Sequence, residues 1–478
     1  MAPTKFREEK SRYMPPKFGT SGLRGLVTEL TPELIASYVR AFVAACPQGE
    51  AVHVGWDLRP SSPAIAEMVL QTICECGLTA VRCGHVPTPA LALGAMNAGC
   101  GAVMITGSHI PADRNGLKFY LPVGEISKED ETQILALLDH LPDLPERKGD
   151  EKVNLTCAND YIARYTDAFG SHALSGLRIG VYQHSSVARE IMVAVVQGCG
   201  GTPVPLAWSD TFIPVDTEAV APETRSQLAT WCTVNALDAL ISTDGDADRP
   251  MLIDANGAII AGDVLGPITA RALGADILCT PVSSNSMINQ MDCFTTNRRT
   301  RIGSPYVIAA MEDILDADIE AKVVGYEANG GFLLGFKAAG PNGSLAPLMT
   351  RDGLLPLLTP LAAARAAGVT IAEIAAALPP CFTAADRLQG VDQNRSELFL
   401  KQMKQDAGYR AAFFASMPPE VAVDNKDGLR VTFRGGDVIH LRPSGNAPEF
   451  RCYTEANTHQ AAVALLETYL SALRDRLA

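Results

Sequence analysis

Residues 51–84 read AVHVGWDLRPSSPAIAEMVLQTICECGLTAVRCG, and their pattern decides the fold class. An apolar run is followed by a short loop rich in Ser and Arg. A helix-length stretch comes next, then a second apolar run. Strands that are apolar throughout, alternating with helical stretches, indicate parallel α/β units in which helices cover the sheet.

The plan recurs at 177–206, LRIGVYQHSSVAREIMVAVVQGCGGTPVPL. It recurs more loosely where ADILCTPVSSNSMINQM (275–291) leads through TTNRRTRIGSPYVIAAMEDI (295–314) to AKVVGYEANGGFLLG (321–335). Three such units predict three related α/β domains. The C-terminal stretch differs. After the Ala-rich helices of 354–380, residues 421–456 form short strands broken by the turns KDG and RGGD, and HQAAVALLETYLSALRDRL (459–477) closes the chain. This predicts an antiparallel sheet with helix cover. The expected divisions are 1–153, 154–257, 258–372 and 373–478, with LPDLPERKGDEKVN (141–154) as the clearest linker.

The 478 residues are 47% hydrophobic, ample for buried cores, and no apolar stretch is long enough to span a bilayer uninterrupted. The first 20 residues carry mixed charge and lack the apolar centre of a signal peptide. The 12 cysteines are scattered, with no C-x-x-C pair and no zinc spacing. These features predict a cytoplasmic chain with buried free thiols. A net charge of −13 argues against a nucleic-acid surface but not against an anionic small molecule bound by a few converging arginines.

Five stretches carry candidate chemistry. In ALISTDGDADRPMLIDANG (239–257), Asp244, Asp246 and Asp248 alternate directly after an apolar strand. In an extended segment alternate side chains share a face, so three carboxylates converge and repel one another unless a hard divalent cation such as Mg²⁺ joins them. A calcium loop of the EF-hand kind is excluded by Arg249 and Ala255 at its sixth and twelfth positions, and a solvated acidic turn is the plain alternative. Arg249 beside the cluster suggests that the cation shares its ligand with a phosphate. In HLRPSGNAPEFRCYTEA (440–456), Arg442, Ser444, Gly445 and Asn446 offer a guanidinium, a hydroxyl, freed backbone amides and a side-chain amide to a phosphate, or form an ordinary turn. In MITGSHIPADRNGLKFY (104–120), Ser108 follows an apolar strand with His109 and Lys118 close by; it is either a nucleophile or a capping serine, and it lies in neither a G-x-S-x-G elbow nor a Walker-type phosphate loop. In VVGYEANGGF (323–332), Glu327 and Asn329 suit recognition of vicinal sugar hydroxyls, or a turn with an Asn-Gly signature. PKFGTSGLRGLV (16–27), with Thr20, Ser21 and Arg24, reads on its own as a loop.

In this order, from FGTSGLRG to RPSGNAPEFR and over almost the whole chain, the motifs resemble the α-D-phosphohexomutase family. TGSHIP stands where that family has its phosphoserine loop, DGDADR where it has its metal loop, GYEANGG at its sugar-specificity loop and RPSGNAP at its phosphate loop. The chain departs from the usual pattern at Ile110 (usually Asn), Asn329 (commonly Ser), Asn446 and Ala447 (Thr and Glu), and at Ser304, where some members have His.

The resemblance implies four domains around a central cleft, the first three with mixed sheets, and reversible transfer between the 1- and 6-phosphates of a hexose. Ser108 would carry the phosphoryl group, give it to the sugar to form a hexose 1,6-bisphosphate, and regain the other phosphate after the intermediate turns over. Mg²⁺ would be held by Asp244, Asp246, Asp248 and the phosphate on Ser108, with Arg249 stabilising the same charge and Arg24 closing on the phosphoserine loop. Lys118 is the candidate proton carrier and His109 a weaker one. Glu327 and Asn329 would grip the sugar ring. Arg442, Ser444, Gly445 and Asn446, with Arg451 as a further candidate, would hold the non-reacting phosphate. Mannose phosphate is the expected substrate, with glucose phosphate accepted. The alternatives are a phosphoglucosamine mutase, a metal-dependent sugar phosphatase and a non-catalytic sugar-phosphate-binding protein. The partners expected are the phosphorylated hexose and neither nucleic acid nor membrane; the oligomeric state is left open.

Overall fold

A computed structural model describes residues 16–19, 22–444 and 449–477. Its first three sheets repeat one topology. In the first, the strands Thr79–His85, Ala51–Trp56 and Gly101–Ile105 run parallel, and Gly101–Ile105 then pairs antiparallel with Arg114–Leu121. In the second, Thr202–Trp208, Arg178–His184 and Ala239–Thr243 are parallel, and Ala239–Thr243 pairs antiparallel with Pro250–Asp254. In the third, Thr296–Thr300, Ile277–Pro281 and Val323–Tyr326 are parallel, and Val323–Tyr326 pairs antiparallel with Phe332–Leu334. The central strands are buried along most of their length because helices cover both faces, which is why they read as unbroken apolar runs. The fourth sheet is wholly antiparallel, in the order Phe382–Gln389, Glu449–Ala456, Val438–Pro443, Leu429–Phe433, Glu420–Asp424, with the helix His459–Leu477 against it.

Strand Gly22–Leu26 joins the first sheet beside Arg114–Leu121, with Arg24 opposite Gly116. Arg24 therefore sits on a strand, not in the loop its local sequence suggested. The second sheet continues to the strand Ile259–Ile260, a few residues past the division expected at 257. One cluster of buried apolar side chains runs from Ala51 through Ile179 and Leu278 to Leu378, so the first three units share a core that extends past 372. A separate cluster, from Leu388 to Leu477, lies within the fourth unit. Among the described residues, no helix is long and apolar enough to cross a membrane.

Candidate active site

In each of the three repeats, the loop leaving the third parallel strand for its antiparallel neighbour carries candidate chemistry: Ser108 in the first, Asp244 to Arg249 in the second, Glu327 in the third. The ends of parallel strands in open α/β sheets are where such folds place their ligands.

Ser108 is buried, not exposed as a loop serine would be. Its backbone has φ 56°, the left-handed region that a non-glycine residue enters only when its surroundings hold it there. Those surroundings are visible. The Ser108 amide donates to Thr106 Oγ1 at 2.8 Å, and Thr106 donates to Asp57 at 2.7 Å. Arg59, fully buried and paired with Asp57 at 3.1 Å, donates to four carbonyls of the loop: Ser108 at 2.8 Å, Ile110 at 2.6 Å, Pro111 at 2.6 Å and Arg114 at 3.0 Å. Its guanidinium also lies 4.1 Å from the centre of the Phe212 ring, in the second unit. Gly107 is required because a Cβ there would stand 2.7 Å from that guanidinium. Ile110 serves the clamp through its carbonyl, which any residue supplies.

The three aspartates do converge, but not through strand alternation. The strand ends at Thr243 and residues 244–249 form a turn, with Ala247 at φ 64°. The turn is closed by the Asp244 amide donating to the Arg249 carbonyl at 3.1 Å. It is docked on the first unit by Thr88, whose amide donates to the Asp246 carbonyl at 2.9 Å and whose hydroxyl donates to Asp246 Oδ2 at 2.5 Å. One oxygen from each of Asp244, Asp246 and Asp248 can be chosen so that all three lie within 4.8 Å of one another, and all three side chains are fully buried.

Ser108 Oγ donates to Asp244 Oδ2 at 2.5 Å, joining the first and second loops. His109 Nδ1 is 3.4 Å from the same hydroxyl oxygen. Burial, with Arg249 and Arg24 nearby, holds the His109 imidazole down at about 2, so it stands neutral. Lys118 Nζ is 2.6 Å from both Asp246 Oδ2 and Asp248 Oδ2. Burial works to raise the Asp246 carboxyl, but the Lys118 ammonium overcomes it and holds that group low. Asp244 lacks that cation, and burial together with its two like-charged neighbours pushes it well up.

The residues fit a divalent cation. Asp246 Oδ1 and Asp248 Oδ1 are buried without a hydrogen-bond partner, a costly arrangement for carboxylate oxygens that an oxygen-seeking ion removes. Asp244, Asp246, Asp248 and a phosphate on Ser108 would form its donor set.

Glu327 stands at the start of the third loop, its amide donating to the Gly331 carbonyl at 3.1 Å. Asn329 Oδ1 accepts the Gly331 amide at 2.9 Å, and its Nδ2 lies 3.5 Å from Glu327 Oε2. In this arrangement both polar atoms of Asn329 face their own turn. Arg249 approaches Asp248 at 3.8 Å and Glu218 at 3.7 Å. Burial, then Arg249 and Arg351, lower Arg24 to about 10, which places it among these charges.

The fourth unit supplies its candidates separately. Arg442 Nε pairs with Asp427 at 2.7 Å, and the second Asp427 oxygen accepts the Ile302 amide of the third unit at 3.0 Å. The Ser444 amide donates to the Glu449 carbonyl at 2.8 Å, and Arg451 lies 3.6 Å from Glu449. Arg451 of the fourth unit and Glu218 of the second lie close enough for their charges to bear on one another, behind the larger effect of burial. Gly445, Asn446 and Ala447, with Thr20 and Ser21, lie outside the described residues.

Sequence reasoning missed Asp57, Arg59, Thr88 and Arg351. Arg351 is buried and bridges Asp248 at 2.8 Å and Glu327 at 3.1 Å. The available signal was a charged residue directly following an apolar run, in GWDLR and LMTRDG. Ser304, where a histidine was the family alternative, donates to Glu125 of the first unit at 2.8 Å.

Comparison with known proteins fits this geometry. Family descriptions of phosphoglucomutase/phosphomannomutase match residues 15–143 (alpha/beta/alpha domain I), 254–382 (alpha/beta/alpha domain III) and 393–471 (C-terminal domain). The chain belongs to the phosphoglucomutase/phosphomannomutase family, that is, to the α-D-phosphohexomutases. A phosphomannomutase of Sinorhizobium fredii is 43% identical over 97% of this chain and 100% of its own length. A phosphomannomutase of Salmonella muenchen is 40% identical over 96% of each. The fold matches the solved structure of a phosphoglucomutase/phosphomannomutase family protein from Burkholderia thailandensis, with TM-score 0.76, 20% identity and 96% of each chain covered.

Proposed function

We propose that the chain interconverts hexose 1-phosphate and hexose 6-phosphate, with mannose preferred and glucose accepted, through a phosphoserine at Ser108. The observation that carries this reading is the contact across two units: the Ser108 hydroxyl is 2.5 Å from Asp244, inside a buried aspartate cluster. A serine held in strained backbone beside three carboxylates is poorly explained as a structural cap. It is well explained as a carrier whose charged phosphate, about −1.5 to −2, needs a cation and arginines around it.

In this reading the phosphoserine P–O bond breaks as a free sugar hydroxyl attacks phosphorus. The sugar becomes a 1,6-bisphosphate and Ser108 regains its proton. After the intermediate turns over, Ser108 Oγ loses its proton and attacks the other phosphate, whose P–O bond to the sugar breaks as the sugar oxygen takes up a proton. Mg²⁺ in the aspartate cluster, when bound, neutralises charge on the transferring group. Arg249 and Arg24 add positive charge there, and Arg59 keeps Ser108 aimed. Lys118, an ammonium at rest, gives a proton to the departing Ser108 Oγ and takes the sugar hydroxyl's proton in its place, while neutral His109 supports the loop. Glu327 grips ring hydroxyls, with Asn329 shaping the loop beneath it. Arg442, Ser444, Gly445, Asn446 and Arg451 hold the non-reacting phosphate, and the fourth unit, with its own core, moves to admit and turn the intermediate.

Mannose and glucose differ only at the 2-hydroxyl, and a grip on the 3- and 4-hydroxyls does not separate them. Glucosamine phosphate presents a 2-ammonium, for which the third loop has no second carboxylate. The twelve free cysteines accord with a reducing compartment such as the cytoplasm.

Parallel coupled assays of mannose 1-phosphate, glucose 1-phosphate and glucosamine 1-phosphate test the reading, together with peptide mass spectrometry of Ser108. Phosphate on Ser108 and faster turnover of mannose phosphate than of glucosamine phosphate are expected. Phosphate release without isomerisation identifies a phosphatase instead. Glu327→Ala removes a buried polar contact worth roughly 1–3 kcal/mol, so kcat/KM should fall about tenfold to a hundredfold for both hexoses with their ratio little changed.

A further inference from the structure

Strand Leu348–Asp352 ends in three consecutive buried polar residues, Thr350, Arg351 and Asp352. Each leaves the third sheet toward a different part of the molecule. Thr350 Oγ1 donates to Glu125 of the first unit at 2.9 Å. Asp352 accepts the hydroxyls of Tyr161, at 2.5 Å, and of Tyr165, both on the helix Cys157–Phe169, and also the Leu354 amide at 2.9 Å. Between these two anchors, Arg351 bridges the metal-loop carboxylate of Asp248 and the sugar-loop carboxylate of Glu327.

The backbone carrying Arg351 is thus fixed on both sides. Its stem lies across the third loop: a Cβ at Gly331 would stand 2.9 Å from Arg351 Cδ and 3.0 Å from the Asp248 carbonyl oxygen. The guanidinium takes Glu327 Oε2, so the orientation of that carboxylate is set from behind, and Oε1 is the oxygen left to be presented elsewhere. A planar fork with two donors in fixed relation can serve both partners at once; an ammonium on a flexible stem cannot hold the same geometry.

We propose that Arg351 is the positioning residue of the sugar subsite: it fixes the orientation of Glu327 against the metal loop, so that binding of the hexose ring depends on a side chain that never touches the sugar. The inference rests on the hexose-phosphate reading above.

The test combines steady-state kinetics with a double-mutant cycle. Arg351→Lys keeps the buried positive charge and loses the fork. KM for mannose 1-phosphate should rise about tenfold, with kcat changed much less, the size expected for one misdirected buried contact. Phosphate on Ser108, read by intact-protein mass spectrometry, should be retained. In a Glu327→Gln background the same Arg351→Lys change should add less than about twofold, because residues acting through one another are not additive.

Three results overturn the proposal: wild-type KM in Arg351→Lys, an equal loss in the Glu327→Gln background, or an Arg351→Lys chain that does not fold, which makes the guanidinium a support of the fold rather than of Glu327. A wild-type enzyme that turns over no hexose phosphate removes the functional reading first, and the proposal with it.

Discussion

Arg59→Lys is the sharpest test of how the Ser108 loop is built. Arg59, itself fully buried, contributes hydrogen bonds to four loop carbonyls and an ion pair to Asp57. Lysine keeps the charge but has three donors, so at least two of these five partners lose theirs. Hydrogen bonds to a charged group are worth about 1.5–3 kcal/mol each, which puts the loss near 3 kcal/mol or more. For a unit of this size that corresponds to a melting transition lowered by roughly 6–12 °C. Activity should fall as well. The left-handed backbone at Ser108 stores on the order of 1–3 kcal/mol of strain, and the Arg59 bond to its carbonyl helps hold it. A relaxed loop moves the hydroxyl from its place beside Asp244, and a displacement of about 1 Å can cost about a hundredfold in turnover. Thermal melts followed by circular dichroism, a coupled mutase assay and mass spectrometry of Ser108 read the three consequences. An Arg59→Lys protein that melts within a degree or two of wild type and keeps its kcat refutes the reasoning.

Removing the metal with EDTA should abolish turnover and Mg²⁺ should restore it; Asp246→Asn should weaken Mg²⁺ binding, measured by calorimetry on the protein alone, by about tenfold or more, since oxygen-ligand charge sets affinity for such ions. Unchanged Mg²⁺ affinity in Asp246→Asn contradicts the assignment. Asp263 is buried and accepts the Asn285 amide at 2.9 Å, and burial, with Glu455 and Glu218 nearby, pushes its carboxyl up to about 7. The folded chain therefore holds this proton more tightly than the unfolded one. Its contribution to stability is full below about pH 4 and is lost as pH rises through about 7. Asp263→Asn should thus raise the melting temperature at pH 8, where the displacement is worth up to roughly 4 kcal/mol, and have little effect near pH 4. A melting difference that is the same at both pH values contradicts the burial argument.

Much of this architecture was legible because its signals are local. Unbroken apolar runs followed by helical spacing mark the three repeats, and the KDG and RGGD turns mark the antiparallel sheet, where strands Glu420–Asp424, Leu429–Phe433 and Val438–Pro443 meet. The aspartate cluster was legible for an incomplete reason. Alternation along a strand predicted convergence, but a tight turn with a left-handed Ala247 produces it. Ser108 was legible as a loop residue but not as a buried one, because burial comes from Asp244, 136 residues away. Arg59 and Arg351 were invisible as site residues for the same reason. Arg59 reaches Ser108 across 49 positions, and Arg351 reaches Glu327 across 24 and Asp248 in a different sheet. A charged residue after an apolar run says only that a charge will be buried at a sheet edge. Which partner neutralises it is decided by the packing of one repeat against the next.

That packing also explains why the site lies where it does. Each repeat turns its chain back at the end of the third parallel strand, and each turn carries one kind of candidate group: the Ser108 hydroxyl, the aspartate cluster, the Glu327 carboxylate. Because the three repeats share one apolar core, these turns are held at fixed separation, which permits a 2.5 Å contact between Ser108 and Asp244 without either loop closing on the other. Arg442 and Arg451, proposed to hold the second phosphate, sit on a unit with a different topology and its own core. A reaction that uses one rigid transfer site for two ends of a sugar needs one grip that stays and one that lets go. In the proposed reaction, transfer chemistry on the shared core and the second phosphate grip on the separate one would meet both requirements with movement at one boundary.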